Sequence, residues 1–251
     1  MGPTWLTAFL DLPEQDYEIG RDFWGGVTGH ELSAPRGASA EFASFLPPDG
    51  DVYLKVQRVA GGRPRIHLDL TVTDPRAAAE VAIAAGGTLL ADEGYLVMRS
   101  PGGQVFCLVG EGGAKRAAPT QWPAGHSSSV YQVCLDLPAE QYDAEAGFWL
   151  TLFGAEQEVL RARPEFSWVR HPRQLALDVL LQATDEAAGE VRCHLDLGTT
   201  DRPTEVDRHL GLGATVIGPE EFWTVMRDPV GLIYCITDRN PATGRLVAQS
   251  R

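Results

Sequence analysis

Lysine is nearly missing from this 251-residue chain. Of its 21 basic residues only Lys55 and Lys115 are lysines, against 34 acidic residues and a net charge of −13. There is no basic run and no basic–aromatic stripe, so neither nucleic acid nor an anionic membrane is an expected partner. No apolar run approaches the roughly 18 residues of a spanning helix, so no membrane span is expected. The opening Met1-Gly2-Pro3-Thr4-Trp5 lacks a basic stretch followed by an apolar one, so no signal peptide is expected. Cysteine is sparse. Cys107, Cys134, Cys193 and Cys235 show no CxxC spacing and sit in apolar, strand-like segments, which reads as buried reduced thiols of a cytoplasmic protein. GxSxG, HExxH and P-loop signatures are missing, and the pairs Gly25-Gly26, Gly86-Gly87 and Gly102-Gly103 fit turns rather than a phosphate cradle.

What the chain does have is a repeat. Arg65-Ile66-His67-Leu68-Asp69-Leu70 returns as Arg192-Cys193-His194-Leu195-Asp196-Leu197, a shift of 127 positions. Asp11-Leu12-Pro13 and Phe23-Trp24 return at a shift of 125, as Asp136-Leu137-Pro138 and Phe148-Trp149. Met98-Arg99 and Phe106-Cys107 return at 128, as Met226-Arg227 and Tyr234-Cys235. A near-constant shift over half the chain is an internal duplication, and two copies make a tandem rather than a solenoid. Expected are two domains, 5–109 and 130–238. Residues 110–129, rich in Gly, Ala, Pro and Ser, are expected as the linker.

Within each copy, period-2 and period-3.6 patterns alternate twice. In the first, Leu6–Leu12 reads as a strand, and Pro13-Glu14 starts a helix that should end at Gly25-Gly26. A short strand near Thr28–Leu32 and strands at Glu41–Leu46 and Val52–Val59 follow. The pattern restarts with strand Ile66–Val72, a helix opened by Asp74-Pro75 whose Ala77, Val81 and Ala84-Ala85 suit close packing, and three strands ending at Val109. The second copy repeats this with strands Val130–Leu137, Phe166–Val169 and Leu175–Gln182, then Val191–Leu197 and three more to Thr237. Its helices are expected at Ala139–Phe153 and Pro203–Leu210, and its tail after Asp238 frayed. The fold class is α+β, each half being two βαβββ modules.

Strand alternation selects the candidate residues. His67 and Asp69 share one face, with Leu68, Leu70 and Val72 on the other. Thr7, Phe9 and Cys107 have the His67 parity. Gln132, His194, Asp196 and Cys235 are the second-half counterparts, and Gln57 and Gln182 share a further repeat position on the polar faces of their strands. An imidazole beside a same-face carboxylate serves as a catalytic base, a ligand-orienting donor, a metal ligand, or a hydrogen-bonding bridge across the sheet. His67 and His194 are therefore the candidate catalytic residues. Phe9, Tyr95 and Trp223 fall on the same parity and either stack on a flat ligand or fill core. Trp24 and Trp149 are read as core.

Paired βαβββ modules carrying these phrases resemble the vicinal oxygen chelate superfamily, in particular its glyoxalase-like branch. The phrases are Leu54-Lys55-Val56-Gln57-Arg58-Val59, His67-Leu68-Asp69-Leu70, Asp228-Pro229-Val230-Gly231, Phe106-Cys107-Leu108 and Tyr234-Cys235-Ile236. The resemblance implies, for each half, a curled mixed sheet with an open cleft. It also implies metal ligands on the first strand, on the second module's first strand and on the last strand, usually His or Gln, then His or Glu, then Glu. Those positions hold Thr7, His67 and Cys107 in the first half and Gln132, His194 and Cys235 in the second. Modules of this superfamily also pair between halves, which would combine Thr7 with His194 and Cys235, or Gln132 with His67 and Cys107, and the sequence does not choose between the pairings. Because cysteine replaces the last glutamate twice, the full triad is expected to be missing.

The implied function is binding of a small, partly apolar, oxygen-bearing metabolite in a sheet cleft, by a monomeric pseudo-dimer or a homodimer. One alternative is a lyase, isomerase or dioxygenase using one divalent metal (zinc, iron, nickel or manganese), with Gln132, His194 and Cys235 as the metal set. The other is a metal-free acid–base enzyme using His194 or His67. The drug-resistance proteins of the superfamily fit the first reading.

Overall fold

The central strand of each half is long, apolar and buried on both faces, and the rest of its sheet grows outward from it. In the computed structural model, which describes residues 2–247, the first half holds β1 (Trp5–Pro13), α1 (Glu14–Thr28), β2 (Glu31–Leu32), β3 (Phe42–Leu46) and β4 (Leu54–Val59), then β5 (Arg65–Thr71), α2 (Pro75–Ala84), β6 (Thr88–Asp92), β7 (Leu96–Arg99) and β8 (Val105–Val109). The second half holds β9 (Thr120–Gln121), β10 (Ser127–Pro138), α3 (Tyr142–Phe153), β11 (Glu156–Val159), β12 (Phe166–Arg170), β13 (Asp178–Thr184), β14 (Arg192–Thr199), α4 (Arg202–Gly211), β15 (Thr215–Pro219), β16 (Trp223–Arg227) and β17 (Ile233–Thr237). Two mixed sheets result, ordered β2-β3-β4-β1-β5-β8-β7-β6 and β11-β12-β13-β10-β14-β17-β16-β15, with β9 pairing the start of β10. The α+β tandem architecture is as expected, and neither sheet closes into a barrel. Among the described residues no helix is long and apolar enough to cross a membrane.

Several elements depart from expectation for local reasons. Helix α1 runs through Gly25-Gly26 to Thr28, and Gly29 at φ 67° supplies the left-handed cap. Gly26 serves close packing instead, since a Cβ there would lie 2.9 Å from Leu212 Cδ2. Strand β11 was not expected: Glu156–Val159 is exposed throughout and forms a sheet edge, where no buried face imposes alternation. In α2 the buried residues are Ala79 and Ala82, while Val81 is exposed. Cys193 is only half-buried, unlike the other three cysteines. Past Asp238 the chain forms a turn closed by the bridge Arg239↔Leu246, and the expected fraying beyond residue 247 lies outside the described residues.

Two compact units cut across the duplication. One gathers the residues up to Phe9 with Ile66–Lys115 and Val133–Cys193; the other gathers Leu10–Arg65, Arg116–Gln132 and the chain from His194 on. Each unit thus joins the second module of one half to the first module of the other, a pairing that alternation alone leaves open.

Both units bury a tryptophan whose indole N–H meets a carboxylate, but the carboxylates come from different elements. In one, Trp24 Nε1 donates to Asp228 Oδ2 at 3.0 Å. In the other, Trp149 Nε1 donates to Glu145 Oε2 at 2.7 Å, and Glu145 also accepts from the Gly102 N–H. Ser100 is the repeat counterpart of Asp228, and Gly20 that of Glu145. A glycine faces the bulkier side chain each time: a Cβ on Gly20 would meet Val230 Cγ2 at 3.3 Å, and one on Gly102 would meet Glu145 Oε1 at 2.8 Å. Burial pushes the carboxyls of both Glu145 and Asp228 up.

The Leu10–Arg65 unit also encloses an ionic cluster. Glu205 is 0% exposed. Arg208 Nε donates to its Oε2 at 2.7 Å, His209 Nε2 lies 3.1 Å from its Oε1, and His126 Nε2 lies 2.8 Å from its Oε2. Arg208 also donates to the carbonyls of Gly26 (2.7 Å) and Val27 (2.9 Å), tying α4 to the end of α1, and its guanidinium lies 3.7 Å from the Trp122 ring centroid. Burial works to raise the Glu205 carboxyl, but hydrogen bonds from Arg208 and His209 outweigh it and hold the group far below its ordinary value. Burial pushes His209 down.

Two stability experiments follow. Replacing Glu145 by alanine leaves the buried Trp149 N–H and the half-buried Gly102 N–H without this acceptor, and should lower the unfolding free energy in urea by about 1–3 kcal/mol; an unchanged midpoint contradicts the pairing. Glu205, depressed in the fold, adds stability that is present above its unfolded value of 4.5 and is lost as pH falls below it. Glu205→Gln should therefore cost about 3–5 kcal/mol at pH 7 and flatten the loss of stability below pH 4.5, read by denaturant titration at both pH values. Wild-type stability of the variant at pH 7 contradicts this reading.

Candidate functional site

In each half a parallel strand pair brings a carboxylate and a thiol to one rung. Strand β5 pairs β8 with Asp69 opposite Cys107, and β14 pairs β17 with Asp196 opposite Cys235. Alternation then carries the histidine two residues earlier to the same face. His67 Nε2 lies 3.7 Å from Asp69 Oδ1, and His194 Nε2 lies 3.5 Å from Asp196 Oδ1. One ligand atom each from His67, Asp69 and Cys107 fall within 4.8 Å of one another, as do those of His194, Asp196 and Cys235. All six side chains are buried.

The halves differ at the first strand. In the first, Phe9 stacks on His67 with ring centroids 4.6 Å apart and planes at 12°, and the position answering Gln132 is the buried Thr7. In the second, Gln132 is 2% exposed and its Nε2 donates to Asp196 Oδ2. Its Oε1 is buried and accepts no hydrogen bond from any described residue. Leaving such an acceptor unsatisfied costs on the order of 1–3 kcal/mol.

The remaining candidates lie further out. Gln57 on β4 is half-buried opposite Phe42, and Gln182 on β13 is half-buried opposite Phe166. The Gln182 Oε1 lies 3.6 Å from the Cys134 thiol, and Cys134 packs with Trp168 and Leu180. Tyr95 precedes β7 and is 37% exposed. Trp223 begins β16, half-buried opposite Thr237, two residues before the Val225 that faces Cys235. What sequence reasoning missed is the Gln132–Asp196 bond. Both residues were candidates, but neither spacing nor parity tells which neighbouring strand a glutamine amide will reach. It also missed a cavity of about 240 Å³ lined by Trp168, Arg170, His171, Arg173 and Asp178 among others. None of the His–Asp–Cys donors lines it.

The donor sets depart from the triad implied by the superfamily. Each has sulfur where that triad has its last carboxylate, and the carboxylate stands one strand over, on the rung of the thiol. Oxygen-seeking ions gain little from a thiol, whereas nitrogen, sulfur and oxygen donors together suit a borderline-soft ion.

Comparison with known proteins agrees with this architecture. The profile described as "Glyoxalase-like domain" matches residues 7–109 and 132–237. A sequence comparison with curated proteins finds no match. Among solved structures, the Mn(II)-bound glyoxalase from Novosphingobium aromaticivorans has a TM-score of 0.65 at 16% identity, covering 100% of this chain and 85% of that one. A triple variant of 4-hydroxymandelate synthase from Streptomyces coelicolor has a TM-score of 0.64 at 15% identity, covering 99% of this chain and 96% of that one. The halotolerant catechol dioxygenase BphC has a TM-score of 0.60 at 17% identity, covering 94% of this chain and 87% of that one. At these identities the likeness is one of fold, that of the vicinal oxygen chelate superfamily. With both halves matched in order, the chain belongs to the glyoxalase-like domain family and carries that domain twice.

Proposed function

We propose that the cleft face of the second sheet binds a small, partly apolar, oxygen-bearing molecule at Gln132, His194, Asp196 and Cys235. The observation that carries this reading is the buried Gln132 Oε1 with no donor among the described residues. A ligand hydroxyl reaching it would satisfy a group the protein leaves open, and the adjacent His194–Asp196 pair offers a donor and an acceptor to a second oxygen. Trp223 and Val225, on the parity of Cys235, supply apolar surface. The neighbouring fold names, a glyoxalase, a 4-hydroxymandelate synthase and a catechol dioxygenase, are consistent with a ligand bearing adjacent oxygens.

A second reading is a lyase, isomerase or dioxygenase that chelates such oxygens through a divalent ion, favoured by the convergence of His194, Asp196 and Cys235 within 4.8 Å. Under either reading the second half is the working one.

A thermal-shift screen of catechols, 2-hydroxy acids and α-keto acids tests the proposal. Ligands that bind should raise Tm, and Gln132→Leu should weaken them by roughly ten- to a hundredfold, the size of one hydrogen bond to a buried group. Thr7→Val should leave binding unchanged. Equal binding by the Gln132 variant and the parent would overturn the proposal. Turnover that needs an added divalent ion and is lost in His194→Ala would select the second reading.

A further inference from the structure

We infer that the hairpin joining β12 to β13 holds a separate ligand site, a pocket for a small aryl carboxylate that seats its ring on Trp168 and its charge on Arg170 and Arg173. The pocket is the cavity of about 240 Å³ at this hairpin. Its lining residues fall within 153–179, in the unit that holds Val133–Cys193, whereas Gln132, His194, Asp196 and Cys235 belong to the other unit. The inference therefore stands independently of the cleft proposed above.

Three observations carry it. The first is the wall. The bond between Ser167 and Tyr142 of α3 marks one face of β12 as helix-covered. By alternation and register, Val169 and Val179 share that side with Phe153 from the end of α3, while Trp168 and Arg170 take the other. The loop between the strands adds Leu175 and Leu177, and all these apolar side chains are buried. A volume below the roughly 300–1,000 Å³ of drug-sized sites limits the occupant to a small molecule.

The second is charge. Residues 161–173 hold four arginines and one acidic residue, in a chain with 21 basic and 34 acidic residues. That acidic residue, Glu165, is taken by Arg163 at 2.6 Å. Arg170 pairs Glu158 on the edge strand, and its guanidinium lies 5.0 Å from the Trp168 ring centroid. Arg173 is exposed and forms no ion pair with any described residue. Asp178 is the one acidic residue of the lining. The His171 ring is fixed edge-on to Phe153, with Nδ1 accepting from the Arg173 N–H at 3.1 Å, and burial pushes it down, so it is uncharged at pH 7. Guanidinium groups meet a carboxylate in a planar, two-pronged fashion, and an indole face takes a flat apolar body.

The third is the duplication, which supplies an internal control. The β3–β4 hairpin has a loop of equal length, residues 47–53 against 171–177. Its pairing Phe42↔Gln57 answers Phe166↔Gln182. Ser44, Leu46, Pro47 and Asp49 therefore stand where the second half has Trp168, Arg170, His171 and Arg173. The hairpin closes without any of these four, and the sign of the loop charge is reversed. They are additions to one copy of a shared frame.

The test titrates the full-length chain with phenylacetate and hydrocinnamate, which lack the adjacent oxygens proposed for the Gln132 site. Binding is read by calorimetry and by the indole N–H resonance of Trp168, assigned with Trp168→Phe. Expected is one carboxylate per chain, a shift of that resonance, and binding at least threefold tighter than that of phenylacetamide or phenethylamine. Arg173→Gln should weaken the acids about threefold or more and leave the amide unchanged, and Glu158→Gln, which frees Arg170, should tighten them about twofold or more. Added salt should weaken the acids alone. Near-ultraviolet circular dichroism checks that each variant is folded. Gln132→Leu should titrate as the parent does. An unmoved Trp168 resonance, equal binding of acid and amide, no response to Arg173→Gln and Glu158→Gln, or loss in Gln132→Leu would each overturn the inference.

Discussion

The parallel pairing of β14 with β17 is the constraint on which the rest of the site depends. Parallel strands hold a fixed register, so Asp196 and Cys235 cannot drift apart without breaking the ladder. Alternation then obliges His194 to share their face, and burial on the opposite face by Leu195 and Leu197 makes a register slip expensive. Side chains of three chemistries are thus set on one face of a fixed strand register.

Duplication preserved this register and relaxed what surrounds it. The buried indole of each unit still meets a carboxylate, yet one is drawn from a turn (Asp228) and the other from a helix (Glu145), with glycines exchanged to make room. The same freedom operates at the first strand. Replacing Gln132 by Thr7 and Cys134 by Phe9 turns a polar, open arrangement into a stacked one. Structural roles tolerate such exchanges because the space and the hydrogen bond are conserved together. The proposed binding role depends on the amide itself, and the amide is present at Gln132 and missing at Thr7.

The repeat, the βαβββ order and the shared face of the His, Asp and Cys side chains were legible in the sequence because they rest on periodicity, which burial on one face enforces. His67 with Asp69 and His194 with Asp196 emerged from the same rule. What was not legible depends on contacts between distant segments. Strand β11 has no buried face and so no pattern. The Gly25-Gly26 pair looked like a stop signal, but the space it leaves is filled by Leu212 from the far half of the chain. Nothing in the spacing of Glu205, Arg208 and His209 marks them for burial, and only the packing of Gly26, Val27 and His126 around them makes them a buried cluster. The open Gln132 carbonyl is of the same kind, since it follows from which neighbour the amide nitrogen chose.

The most direct measurement is a crystal structure of the chain grown with a diol or hydroxy-acid hit from the ligand screen. The account predicts ligand density bounded by Gln132, His194, Asp196 and Cys235, and none at Thr7, His67, Asp69 and Cys107. Density at the first-sheet cluster with the second left empty would contradict it.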